Sequence, residues 1–404
     1  MSRHIAVMNI PSHGHVIPTV SIVRELVARG HRVTYAAAGA FAGTFAAAGA
    51  DVVRYESPYA EHGMHLDYGA SQVVDVVMRS FDESEAIAAA LRPVLDDDPP
   101  DLLAYDLTVM AAGRVTSRRW GVPAVQMSPL FASNAHTQLT RNVFARTAGS
   151  ERLFQPQSTA GVDFFTRLTD SVRALGGDGV ISPAEVLGAV EPLNLVFLPK
   201  EFQLAGDTFD DRYAFVGPCQ EHDPAAATWQ PPASGAPVVL ISLGTTIQAG
   251  PEFFRTCVDA FAGSGLHLVM TIGDRFAPEE LGPVPPGVEL HPWVPHLDVL
   301  AHARALVCQG GMSSVMQSLA MGVPMVLVPQ WGENRVNAER VVELGLGSLI
   351  APEEVTAERL VAAVTELTSS PGYASAAARL RQDIRRAGGA ERAADEIERL
   401  CAKG

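Results

Sequence analysis

Two stretches of the chain repeat one grammar: a short apolar strand, a loop of small or polar residues, an amphipathic helix and a second strand. In the first, HIAVMNI reads as a strand and PSHGH as the loop. VIPTVSIVRELVAR then repeats apolar residues at helical spacing (Val16, Val20, Val23, Leu26, Val27), Gly30 stops it, and RVTYAA is the next strand. Late in the chain the same order returns as PVVLISL, GTTIQAG, PEFFRTCVDAFAG and LHLVMTI, with Pro251 suited to a first helical turn. ALVC, QGG, MSSVMQSLAM and PMVLVP follow as strand, loop, helix and strand. Units of roughly thirty residues with this order are βαβ crossovers, which require parallel strands. The pattern predicts an α/β protein with two doubly wound sheets facing a cleft. Sheets of this kind take ligands beyond the carboxyl ends of their strands.

The chain has 404 residues, too many for one ordinary core, so two domains of about 200 residues each are expected. We place an N-terminal domain at residues 1–220, a Pro-, Ala- and Gly-rich linker at 221–236 and a second domain at 237–375. Helices at 376–404, broken by a Gly-Gly pair, are expected to pack back on the first domain. Residues 55–95 and 130–190 are expected to form helices and loops over a pocket. A formal net charge of -15 argues against nucleic acid and anionic membranes as partners. Cys219, Cys257, Cys308 and Cys401 show no paired or metal-binding spacing, and no run approaches the ~20 apolar residues of a membrane span. A reduced, cytoplasmic protein, monomer or homodimer, is expected, with no bound metal.

Several short motifs carry chemistry. Gln309-Gly310-Gly311-Met312-Ser313-Ser314 joins a strand to a helix. Its glycines allow close backbone approach, and the helix start offers free N–H groups to an anion such as phosphate. The plainer reading is an ordinary turn with Ser as N-cap. Ser242-Leu243-Gly244-Thr245-Thr246 ends another strand of the same half. No G-x-G-x-x-G follows either strand, which disfavours a dehydrogenase. His13-Gly14-His15 stands at the first strand-to-helix turn, where a His can serve as general base or simply as a polar surface residue. Asp106 ends the apolar run of DLLAYD; it reads either as the partner that orients such a His or as a helix N-cap. Asp96-Asp97-Asp98 precedes Pro99-Pro100 and reads as a solvated turn rather than a metal site.

With these residues in view, the chain resembles the nucleotide-sugar-dependent glycosyltransferases of the GT-B fold that act on macrolides, polyketides and plant-type phenolics. The likeness runs over nearly the whole chain. It is most specific at NIPSHGHVIPT, at ISLGT and at HPWVPHLDVLAHARALVCQGGMSSVMQSLAMGVPMVLVPQWGEN. The resemblance implies His15 as catalytic base and Asp106 as its partner. It implies Ser242, Thr245, Gly310, Gly311, Ser313 and Ser314 at the diphosphate, with Trp293, Val294 and His296 at the pyrimidine base. Glu333 and Asn334 fall where the family holds sugar hydroxyls. His13, Met64, Phe81 and Phe131 are candidates for the acceptor pocket. The chain departs from the family at Gln309, where His is usual, and at Gln317, where a ribose-gripping Glu is usual. A neutral Gln bond is worth about 0.5–1.5 kcal/mol against about 1.5–3 for a charged one, so donor affinity is expected to fall roughly tenfold without vanishing.

The resemblance implies an inverting, metal-independent enzyme. It would move a sugar from a nucleotide diphosphate, dTDP-deoxysugar or UDP-glucose, to a hydroxyl of a small apolar natural product. Gln317 tilts the choice towards thymidine, which lacks the 2′-hydroxyl. Two other readings stay open at this point. One is a non-catalytic helper that keeps the fold and binds an aglycone. The other is a nucleotide-sugar epimerase or hydrolase on the same fold.

Overall fold

The computed structural model describes residues 2–59, 70–147, 155, 157–220, 222–244, 250–274 and 276–402, the side chains of 70–76 excepted. Seven strands form the first sheet: β1 (His4–Met8), β2 (Arg32–Ala37), β3 (Asp51–Arg54), β4 (Leu102–Asp106), β5 (Ala124–Ser128), β6 (Leu193–Val196) and β7 (Tyr213–Phe215). Six form the second: β8 (Val238–Ser242), β9 (His267–Thr271), β10 (Val288–His291), β11 (Ala303–Cys308), β12 (Met325–Leu327) and β13 (Gly347–Leu349). Their orders are β3-β2-β1-β4-β5-β6-β7 and β10-β9-β8-β11-β12-β13. Every recorded pairing is parallel. Each is therefore a doubly wound sheet with its strand order reversing once, between β1 and β4 and between β8 and β11.

The central strands are mainly apolar because helices cover both faces. Ile5 and Val7 point to one core of the first domain, Ala6 and Met8 to the other. Leu306 and Cys308 separate from Ala305 and Val307 in the same way in the second. One core crosses the domain boundary. Phe131, Leu198 and Phe202 from the first domain join Leu240, Val294 and Leu306 of the second.

The linker is anchored rather than loose. Trp229 is buried and its indole N–H donates to Glu289 at 2.9 Å, while the Thr228 N–H donates to Asp298 at 2.8 Å. The C-terminal helices divide. Pro371–Ala387 packs on the Met312–Met321 helix of the second domain, and Gly389–Cys401 packs on His13–Ala28 of the first. Gly388 and Gly389, at φ 88° and 57°, make the turn between them, a left-handed geometry that favours glycine. Arg29 then reaches Asp395 at 2.7 Å and Glu398 at 2.9 Å. All four cysteines are buried and none is in a disulfide. Asp96 and Asp98 sit in a surface bend, bonded to Trp120 at 2.8 Å and Arg32 at 2.7 Å. Among the described residues no helix is long and apolar enough to cross a membrane.

Candidate active site

Helix His13–Ala28 starts earlier than the sequence pattern suggested. His13, Gly14 and His15 form its first turn rather than the loop before it, with Ser12 as N-cap. The N–H groups of His15 and Val16 reach the Ser12 carbonyl at 3.0 and 2.8 Å. Asn9, just past β1, donates to the His15 carbonyl at 3.0 Å and ties the turn to the strand end. His15 thus stands on one side of the switch point of the first sheet. Asp106, the last residue of β4, stands on the other.

The two meet. His15 Nδ1 lies 2.9 Å from Asp106 Oδ2. The other carboxylate oxygen accepts from the Thr108 N–H at 2.8 Å and its hydroxyl at 2.6 Å. Asp106 is therefore an N-cap and the partner of a His at once, so its two candidate roles do not exclude each other. With Nδ1–H donated to the carboxylate, Nε2 is left as an acceptor, and His15 lines the cavity. Burial lowers the His15 pKa. The Asp106 charge and hydrogen bond, helped by Glu333 from the second domain, outweigh it and hold the ring above its ordinary value.

The second sheet offers the counterpart at its own switch point. Gly311 is the N-cap of helix Met312–Met321 and has no side chain to bond the first turn. Neither Ser313 nor Ser314 is the cap, contrary to the plainer sequence reading. Both follow it and line the cavity. The helix start thus presents N–H groups with no cap, the arrangement that receives anions. Gly310 has φ 87°, and a Cβ there would stand 3.0 Å from the Asn334 carbonyl. It shapes the turn and is not among the cavity-lining residues. Asn337 clamps the same turn, donating to the Gly310 carbonyl at 2.8 Å and to Glu333 at 3.3 Å. Across from it, Ser242 accepts from the Gly244 N–H at 3.3 Å. Gly244 has φ 83°, and a Cβ there would stand 2.2 Å from Gln309 Nε2. Thr245 lies outside the described residues.

Gln309 and Asn334 are buried, line the cavity, and each keeps an amide oxygen without a partner. Buried polar atoms are nearly always bonded, so these acceptors suit a polar ligand. Burial raises the Glu333 pKa, offset by His15 and the Asn337 bond. Trp293 stands at the rim, 64% exposed, with Val294 buried beside it. His296 bonds Thr271 Oγ1 at 3.1 Å, and burial holds its pKa down at about 4. Gln317 Nε2 donates to Gln220 Oε1 at 2.8 Å, a bond between the segment after β7 and the second domain. Gln220 and Thr271 line the cavity and were not singled out from the sequence. Gln220 borders the linker and no local pattern marks it.

Both half-sites open onto one cavity of about 970 Å³. The two helix starts nearly touch across it: a Cβ on Gly14 would lie 4.0 Å from Ser313 Cβ. The first-domain wall is mainly apolar, with Ile17, Leu107, Met110, Leu139 and Phe144. His13 and Phe81 belong to it; His13 meets Phe41 edge-on at 5.0 Å. Phe131 does not. It is buried and stacks on Phe202 at 5.5 Å in the core shared by the domains, where its ring is enclosed on all sides by apolar neighbours. Met64 lies outside the described residues. Among the described residues no group of three His, Cys, Asp or Glu could hold a metal ion.

Two doubly wound domains oppose their switch points across one cavity. One presents a His–Asp pair and the other a bare helix start, and together these define a GT-B glycosyltransferase. Comparison with known proteins agrees: the chain belongs to the nucleotide-sugar-dependent glycosyltransferases of this fold. Residues 256–400 match the family described as Erythromycin biosynthesis protein CIII-like, C-terminal domain. The chain is 34% identical to NDP-glycosyltransferase YjiC of Bacillus licheniformis, over 99% of this chain and 98% of that one. It is 36% identical to the oleandomycin glycosyltransferase of Streptomyces antibioticus, over 98% of this chain and 90% of that one. The crystal structure of CalG4, the calicheamicin glycosyltransferase, superposes with a TM-score of 0.86 at 40% identity, covering 99% and 98% of the two chains.

Proposed function

We propose that this glycosyltransferase moves a sugar from a pyrimidine nucleotide diphosphate to a hydroxyl of a small, largely apolar natural product such as a macrolide or polyketide, with inversion. The observation that carries this reading is the His15–Asp106 pair facing the uncapped Met312–Met321 helix across a single cavity. His15 Nε2 takes the acceptor proton as the hydroxyl oxygen bonds to the anomeric carbon. The bond from that carbon to the diphosphate oxygen breaks, and the electron pair leaves with the diphosphate. Asp106 orients the ring and offsets its new charge. The helix start, Ser313, Ser314 and the Gln309 amide receive the charge on the leaving group. Ser242 and Thr245 complete that side, Trp293, Val294 and His296 hold the base, and Glu333 and Asn334 hold the sugar. The donor is a dTDP-deoxysugar or UDP-glucose, the former favoured because the neutral Gln317 amide, partly engaged by Gln220, grips vicinal ribose hydroxyls less strongly than a carboxylate would, and thymidine lacks the 2′-hydroxyl.

The intact His–Asp pair favours this over a non-catalytic helper. The apolar first-domain wall favours a carbon-rich acceptor over water. The test is a matrix of UDP- and dTDP-sugars against macrolide, polyketide and flavonoid acceptors, read by product mass, alongside thermal-shift titration with UDP and dTDP. Nucleotide binding without any product would support the helper. No stabilisation by either nucleotide would overturn the proposed donor class.

A further inference from the structure

The acceptor side of the cavity holds one charge that the proposed reaction does not use. Arg79, on helix Ala70–Leu95, lines the cavity and is partly buried. Among the described lining residues of the first domain it is the single permanent cation, and none of those residues is a carboxylate. Neighbouring cations are neutralised. Arg167 pairs with Asp82 and with Glu85, the latter at 2.7 Å, and Arg114 pairs with Glu191 at 3.2 Å. Arg79 has no carboxylate within ion-pair distance among the described residues.

Two acids stand one helical turn on, Asp82 and Glu83; Asp82 pairs with Arg167, and Glu83 is engaged elsewhere too. It is fully buried and accepts from Tyr55 OH and from Ser57 Oγ, the latter at 2.7 Å. The Tyr59 phenol, raised by its own burial and by Glu83, is drawn down by the Arg79 charge. Tyr59 lines the same cavity, which puts the guanidinium near that part of the wall. A partly buried guanidinium on a mainly apolar cavity wall, with no ion-pair partner among the described residues, is open to pairing with an anionic group on a ligand.

Building on the acceptor site proposed above, we infer that Arg79 reads a carboxylate on the acceptor, set apart from the hydroxyl that is glycosylated. The planar fork of Arg matches a carboxylate through two parallel N–H bonds, and the surrounding apolar wall strengthens that pair. The preferred acceptor is thus an apolar hydroxy acid rather than a neutral polyol or an amine. Arg79 acts on acceptor choice and takes no part in bond making or breaking.

The experiment uses matched acceptors, aryl and alkyl hydroxy acids and their methyl esters, with the donor that supports turnover. kcat/KM is measured for the native protein, Arg79→Met and Arg79→Lys. The native protein is expected to prefer acid over ester by about tenfold or more, from the strength of a charge-assisted pair. Arg79→Met should collapse or invert that ratio through KM for the acid, and Arg79→Lys should keep part of it. A native preference for the esters, or an unchanged ratio in Arg79→Met, overturns the inference and leaves the proposed function standing. Failure of every acid and every ester, in a protein that still glycosylates a macrolide or polyketide, overturns the inference and leaves the proposed function standing; failure of those acceptors as well, with nucleotides still bound, overturns both.

Discussion

Asp106 divides its carboxylate between two tasks, holding His15 Nδ1 at 2.9 Å with one oxygen and the Thr108 N–H at 2.8 Å with the other. The cap fixes the carboxylate, and the carboxylate fixes the ring. Asp106→Asn preserves the shape but can present N–H where the ring needs an acceptor. We expect kcat/KM to fall on the order of 10³–10⁴. His15 must be neutral to accept a proton, so the rate climbs as pH rises through its pKa. In the native protein that midpoint lies above ~6.5, the ordinary His value. With Asp106 neutralised, burial is opposed only by Glu333, and the midpoint moves to lower pH. A pH–rate profile whose acid limb stays put would sink the assignment.

Replacing His15 itself by Ala removes the proposed base. Transfer to an alkyl hydroxyl should drop about 10²–10⁴-fold, with donor affinity changed little. Turnover surviving within a few-fold would show that another group takes the proton.

Gln309 offers only a neutral bond to a leaving diphosphate. Gln309→His introduces a group that can carry charge, and donor affinity should rise about tenfold. Calorimetric titration with UDP and dTDP reads this directly. The gain should be larger below pH ~6.5, where an ordinary imidazole is protonated. Equal affinity at all pH values would remove Gln309 from the diphosphate site.

The Gln317–Gln220 bond occupies one of the two N–H donors of the Gln317 amide and leaves its carbonyl as a single neutral acceptor for a ribose hydroxyl. Gln317→Glu supplies two acceptor oxygens and keeps a partner in the Gln220 amide. The KM for a UDP-sugar should fall relative to its dTDP counterpart by several-fold, on the scale of one charged hydrogen bond. A change that is equal for both donors would detach Gln317 from ribose selection.

Beneath the acceptor wall lies a buried network. Arg114 and Glu191 are 4% and 2% exposed, and Tyr105 OH bonds Glu191 at 2.6 Å. Arg114→Met strands the Glu191 charge and should cost about 3–5 kcal/mol of stability, seen as a lower denaturant midpoint. Replacing Glu191 by Leu in the same chain should restore part of it, because the stranded charge is gone.

Much of this architecture was legible before the structure. The βαβ grammar of HIAVMNI through RVTYAA and of PVVLISL through LHLVMTI became β1, β2, β8 and β9 with the intervening helices. Short, β-branched-rich apolar runs bounded by Gly and Pro alternate with longer segments of helical period, and that contrast needs no tertiary contact to be read. The start of the first helix lies earlier than the pattern suggests because the polar PSHGH run carries no apolar period and Gly14 has low helical propensity, yet His13, Gly14 and His15 form its first turn. Phe131 was misplaced for a different reason: an apolar residue after a strand fits a pocket wall or a core equally well. Gln220 and Gln317, 97 residues apart, meet only when two sheets are assembled, and neither segment carries a periodic signal for that. The same holds for Arg79, whose isolation depends on where Glu83 turns.

The helix Gly389–Cys401 completes the first domain from the far side of the second. Ala393, Ala394, Ile397 and Cys401 share a core with Ile5, Val7 and Leu26, and Arg3 reaches the Cys401 carbonyl at 3.0 Å. During synthesis the first sheet can form early, but one side of it, covered in part by the first helices, is not completed until residues 389–401 leave the ribosome. The nascent chain must carry an apolar wound for most of its translation, closed only when the second domain has already been made.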